Sequence, residues 1–172
     1  MDEANNRWLS SGELDAWLAY VAASTLLEAA LDRQLQRDSG MPHAYYQILA
    51  MLSEVPGRTL RMSDLAAITQ SSQSRLSHAV SRLERNGWVR REPCPDDRRS
   101  TFARLTDAGF RALESAAPGH VDEVRGRMFD RLTCEQVAQL RAICGAMLEG
   151  LRGDAAPCPG PDVRPTGRAA QP

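Results

Sequence analysis

SSQSRLSHAVSRLERNGWVRREPCPDDRRS, residues 71–100, decides how this chain is read. It opens with small polar residues, and Ser71 or Ser72 can cap the first free N–H groups of a helix. From there Leu76, Ala79, Val80 and Leu83 recur at i, i+3, i+4 and i+7, which puts them on one helical face. Ser74, His78, Ser81 and Arg85 lie opposite, and Arg75 and Arg82 flank that polar side. Gly87 stops the helix. Residues 88–92 and 100–105 then have extended character, parted by a turn holding Pro93, Pro95, Asp96 and Asp97. This is the pattern of a β-hairpin with a long, charged tip.

Working upstream, LRMSDLAAITQSS places an extended segment at 60–62 and a short helix at 64–68, with Ser63 as its N-cap. Pro56-Gly57 marks a turn. A helix is expected after Met41-Pro42, with Tyr45, Ile48, Leu49 and Leu52 on one side. A longer one covers 13–37, carrying Leu14, Trp17, Leu18, Val21, Leu26 and Leu35 near a 3.6 period. Downstream, Thr106 and Asp107 start another helix, which is expected to break or kink at Pro118-Gly119 and resume at 120 or 121. Thr133 with Gln136 has the form of a capping box for a last helix through Leu151. Five of the ten prolines fall after Gly153, which predicts a disordered tail over 153–172.

The 172 residues are 42% hydrophobic and 25% charged, enough for one domain with a core. No run approaches the roughly 18 consecutive apolar residues of a membrane span. The opening MDEANNRWLSSGELDAW has no apolar signal core, so a cytoplasmic protein is expected. Net charge is −1, but it is unevenly placed. Residues 70–104 hold eight arginines against four acids, a local +4 that leaves −5 on the remainder. A basic patch on a mildly acidic body suits an anionic partner such as nucleic acid. All 21 basic residues are arginine, so each can make bidentate contacts to phosphate or guanine.

Helix, short helix, turn, longer helix, hairpin is the order of a winged helix-turn-helix. Its second helix enters the major groove of double-stranded DNA, and its wing reaches the flanking backbone or minor groove. The stretch resembles the MarR family of bacterial transcriptional regulators. The matching pieces are LRMSDLA (60–66), SRLSHAVSRLERNGWVRRE (74–92), PDDRRS (95–100) and LTDAG (105–109), in the family's order and spacing. The resemblance spans about residues 10–151. It implies a mainly α fold with a small β-hairpin wing, flanked by N- and C-terminal dimerisation helices. The expected divisions are 1–10 (extension), 11–52 (N-terminal helices), 53–105 (DNA-binding domain), 106–152 (C-terminal dimerisation helices) and 153–172 (tail).

Carried over residue by residue, the resemblance puts Ser72, Gln73, Ser74, Arg75, Ser77, His78 and Arg82 against major-groove bases or phosphates. Asp97 would brace the wing, and Arg98 or Arg99 would enter the minor groove. It further implies a homodimeric repressor on a palindromic operator, released by a small aromatic ligand. Trp17, Tyr20, His43 and Tyr46, with Tyr45, are the candidates for that ligand's pocket, although their helical spacing also suits ordinary core aromatics. The alternative from a different class is a winged-helix protein-interaction module without specific DNA binding.

Other features point away from chemistry. There is no GxSxG, Walker A, HExxH or GxGxxG motif, and the adjacent acids Asp96-Asp97 and Asp122-Glu123 diverge on regular structure, so no enzyme is expected. Cys94, Cys134, Cys144 and Cys158 form no CxxC pair, and neither a metal site nor a cofactor is expected. Cys94 reads as an incidental exposed thiol beside the wing rather than a redox switch. Cys134 and Cys144 read as core or interface residues.

Overall fold

A computed structural model describes residues 8–94 and 100–152 of the chain. It is mainly helical: α1 (Ser11–Ser39), α2 (His43–Ser53), β1 (Thr59–Arg61), α3 (Met62–Ile68), α4 (Gln73–Arg85), β2 (Val89–Pro93), β3 (Thr101–Leu105), α5 (Asp107–Arg127) and α6 (Cys134–Arg152). The three strands form an antiparallel sheet in the order β1-β3-β2. Val89 pairs with Leu105, and the β2–β3 ladder runs out to Pro93 opposite Thr101. Cys94 N–H donates to Ser100 O at 3.1 Å just beyond it. This is the winged helix-turn-helix expected from the sequence.

Local chemistry explains the boundaries. Ser10 and Glu13 make a reciprocal capping box at the start of α1, and Gly40 at φ 61° ends it in the left-handed conformation. Pro42 precedes α2 and offers no side-chain cap, so Asp32 from α1 supplies the acceptor and takes the His43 N–H at 2.9 Å. Ser72 is the cap of α4, accepting from Arg75 N–H at 3.3 Å. Thr133 and Gln136 form their capping box as read.

Two local expectations are corrected. Ser63 does not cap α3. The helix begins two residues earlier with Arg61 at the cap position, and the Ser63 hydroxyl turns to Asp64 at 3.1 Å. The α5 helix does not break at Pro118 but continues to Arg127. Packing supplies the reason: α5 lies along α1 and α2, and Leu113 and Ala116 are buried there. Gly119 sits so close to α1 that an added Cβ would come within 3.1 Å of Gln34 Nε2. The break falls instead at Phe129–Arg131, a 3-10 turn.

The core lies where α2, α3 and α4 meet the sheet. Leu49, Leu52, Leu65, Leu76, Val80, Leu83 and Ala103 are fully enclosed. One junction fixes α4, the wing and α5 together. Gly87, at φ 71°, ends α4 and turns the chain into β2. The Thr106 hydroxyl donates to Gly87 O at 2.7 Å and accepts from Gly109 N–H at 3.0 Å. Thr106 N–H donates to Trp88 O at 3.0 Å. Gly109 lies against the same Trp88 carbonyl, and an added Cβ would collide with it and come within 2.8 Å of Leu105 Cδ1. The LTDAG segment thus owes its threonine to capping and its glycine to close approach. Gly109→Ala is expected to lower stability by about 1–3 kcal/mol through overpacking, measured by urea unfolding.

Candidate nucleic-acid interface

The α4 helix buries Leu76, Val80 and Leu83 and leaves Gln73, Ser74, Arg75, Ser77, His78, Arg82 and Arg85 exposed. Ser72 stands exposed at its start. Thus the seven helix residues named from sequence lie together on one open surface. Arg85 lies on the same surface, although the sequence-based set of contacts left it out. The wing residues Asp97, Arg98 and Arg99 lie outside the described residues.

The arginines of the basic window have different surroundings. Arg75, Arg82 and Arg85 pair with no acid among the described residues. Arg90 pairs with Glu92 at 2.6 Å, and Arg104 approaches the same carboxylate at 3.8 Å. Arg91 turns inward to Glu84 at 2.6 Å. Ser81, read from the wheel as part of the open polar face, is half-buried instead. Its hydroxyl donates to Ser77 O and accepts from Arg91 Nη1 at 3.1 Å. A wheel cannot see a strand passing beside the helix.

Two clefts flank α4. One, of about 340 Å³, lies between α4, the start of α3 and the wing, and is lined by Arg61, Ser63, Gln73, Ser77, Arg91 and Thr101 among others. The other, of about 670 Å³, is lined by Tyr45, Arg75, His78, Ala79, Ser81, Arg82 and Arg85. Arg61 and Ser63 were missed by sequence reasoning. Their only signal is their position at the start of α3, Arg61 at the cap and Ser63 in the first turn of a helix that has no side-chain cap.

The aromatic candidates separate into two groups. Trp17 and Tyr20 are about half exposed on the outer part of α1, their rings 6.3 Å apart. Neither is a core aromatic in this chain. His43 and Tyr46 instead converge on His120 of α5, with ring centroids 5.4 Å and 4.2 Å away. His43 is buried and its Nδ1 meets Glu28 at 3.0 Å. Burial, then the neighbouring His43, holds the His120 imidazole below its usual value of 6.5. Cys94 is buried at 3% exposure, which corrects its reading as an exposed thiol. Cys134 is exposed and Cys144 half-buried, so neither is a core residue of the single chain.

Residues 39–100 match the MarR family. The fold superposes on Sco3205 of Streptomyces coelicolor, a MarR family transcriptional regulator solved in complex with DNA, at a TM-score of 0.83. The two are 54% identical over 92% of this chain and 99% of that one. AbsC of Streptomyces coelicolor, also a MarR family transcriptional regulator, gives a TM-score of 0.81 and 41% identity over 86% of this chain and 99% of its own. The HTH-type transcriptional regulator PecS of Dickeya dadantii is 30% identical over 123 residues, 71% of this chain and 73% of that protein. The chain belongs to the MarR family of winged helix-turn-helix transcriptional regulators.

The His120 environment sets a pH dependence. The folded state keeps this imidazole neutral where the unfolded chain would protonate it. Its contribution to stability is therefore full above the usual value and is lost as pH falls through 6.5 toward the lowered one. Unfolding free energies measured between about pH 5 and pH 8 should fall on the acid side, and His120→Phe should flatten that slope.

Proposed function

We propose that the protein is a homodimeric transcriptional repressor. It binds a palindromic operator in double-stranded DNA through α4 and the wing, and a small aromatic ligand releases it. The observation that carries the DNA reading is the open face of α4. Small polar residues there let the helix sink into a major groove, and three arginines beside them are held by no acid among the described residues. Arginine matches guanine N7/O6 or phosphate, and Gln73 can match adenine. Ser72, Gln73, Ser74, Arg75, Ser77, His78 and Arg82 would make the helix contacts, with Asp97 bracing the wing and Arg98 or Arg99 entering the minor groove. Sco3205, similar over nearly its whole length, is seen with DNA. Such a regulator works in the cytoplasm, where bacterial DNA is held.

Dimerisation is supported by faces that the single chain leaves bare. Ile143, Met147, Leu148 and Leu151 of α6 are exposed, and no residue described on that helix is buried. Helices in proteins gain most of their stability from packing an apolar face, and this 19-residue helix has an apolar face that the single chain does not bury. The outer half of α1 likewise exposes Leu14, Trp17, Leu18 and Val21. By length and composition alone α1 is apolar enough to cross a membrane. A second copy of this chain covers it more economically, since its inner end is already packed on α2 and α5. Two-fold symmetry then requires half-sites about one helical turn apart. The ligand would lie against His43, Tyr46 and His120, where α1 and α5 meet the winged domain.

The first experiment selects bound sequences from a random duplex pool at fixed salt. An enriched inverted repeat is expected. No enrichment, with a stoichiometric protein partner recovered instead, would favour a protein-interaction module. On the selected operator, Arg75→Ala or Arg82→Ala should shift sequence preference by about 1–3 kcal/mol if the arginine reads a base. If it holds phosphate, it should flatten the salt dependence by about one unit for all sequences. Arg98→Ala and Arg99→Ala should weaken binding with little change in melting temperature; normal binding by both would refute the wing assignment. Leu148→Glu should move the sedimentation profile from dimer to monomer and weaken operator binding with it.

A further inference from the structure

Arg91 lies at the middle of β2, opposite Ala103, inside the most basic stretch of the chain. A count of charge would give it to DNA, but the geometry does not. Its guanidinium meets Glu84 Oε2 at 2.6 Å and Ser81 Oγ at 3.1 Å through Nη1. Through Nη2 it meets Ser77 O at 2.8 Å and Ser77 Oγ at 3.2 Å. Its backbone N–H donates to the other Glu84 oxygen at 3.0 Å. Glu84 therefore holds both the strand backbone and the arginine head, a bidentate arrangement with fixed geometry. Three successive turns of α4, at Ser77, Ser81 and Glu84, are tied to one strand residue.

The consequence for Ser77 is chemical. Arginine is only a donor, so the Ser77 oxygen must accept from it. That bond occupies one of the two lone pairs, on the wing side, and turns the proton away from the wing, where it donates to no acceptor among the described residues. Ser77 is exposed on the face proposed to enter the major groove. There the acceptors are guanine O6 and N7, adenine N7 and thymine O4, whereas the cytosine amino group is a donor.

We propose that Arg91 is a positioning residue for operator recognition. It clamps α4 to the first wing strand, so setting the spacing of helix and wing, and it orients the Ser77 hydroxyl with its proton toward an acceptor base edge. The inference rests on the DNA-binding reading above.

The test compares wild type, Glu84→Gln, Arg91→Met, Ser77→Ala and the Ser77→Ala/Arg91→Met double variant. Each is titrated with the operator that wild type selects and with single-base variants of it, over a salt series, with thermal melting as the fold control. Glu84→Gln is expected to bind about tenfold more weakly although it removes a negative charge beside the DNA, the scale of one lost base contact. Arg91→Met should do the same with the salt slope unchanged. Both should lose discrimination at one base pair of each half-site. Ser77→Ala should lose it at the same base pair, and should cost nothing further in the Arg91→Met background.

Glu84→Gln binding as tightly as wild type or tighter, with Arg91→Met flattening the salt slope by about one unit, would make Arg91 a phosphate contact and overturn the proposal. Weaker binding with discrimination intact at every position would reduce the clamp to a structural role and overturn it too. If Arg91→Met does not fold, Glu84→Gln, which keeps the side-chain shape, decides the matter alone. A wild-type protein that selects no operator defeats the DNA reading itself, an outcome distinct from a selected operator on which the variants act as plain charge changes.

Discussion

The carbonyl of Trp88 is the point on which the structure turns. Thr106 N–H bonds to it, and Gly109 packs against it with no room for a side chain. The Thr106 hydroxyl reaches back to Gly87, the residue that ends α4. Within a few ångströms the end of α4, the start of the wing and the first turn of α5 are bonded to one another. None of the three can then rotate alone. Because α5 continues to the outer helices, the orientation of α4 relative to the rest of the molecule is set at this junction.

A regulator of this type needs cations that are available to an outside partner. The chain carries many arginines, and the fold distributes them. Arg58 stacks 3.7 Å over the Phe110 ring and pairs with Asp107, holding the turn ahead of β1 to α5. Arg90, Arg91 and Arg104 face carboxylates on or beside the wing. On α4, Arg75, Arg82 and Arg85 meet no acid among the described residues. The difference comes from Glu84 and Glu92, which neutralise arginines on the sheet side and leave the outer face of α4 positive. Exposed pairs of this kind add little stability, so their main effect is on where charge remains.

The same separation appears in the apolar residues. The inner end of α1 buries Ala30, Leu31, Gln34 and Leu35 against the body, while its outer half and the whole of α6 keep large apolar side chains in solvent. One hydrophobic pattern thus serves two purposes along one helix. The first builds the protomer. The second leaves a surface that the single chain does not cover, which is the ground for the proposed dimer.

The amino-acid sequence by itself determined the elements and their kind. The 3.6 period of residues 76–83, the glycine after the helix and the alternating runs at 88–92 and 100–105 are local signals, and local hydrogen bonding produces what they announce. The caps at Ser72, Thr106 and Thr133 were legible for the same reason, since a cap bonds within three residues of itself. Tertiary structure decided what depends on contacts from distant parts of the chain. Pro118 stays helical because α1 and α2 hold α5 in place. Asp32, eleven residues before His43, supplies the acceptor for the His43 N–H that Pro42 lacks. Ser81 leaves the open polar face because a strand from beyond the turn passes beside the helix and brings Arg91 to it, a neighbour that no periodicity within residues 71–86 encodes.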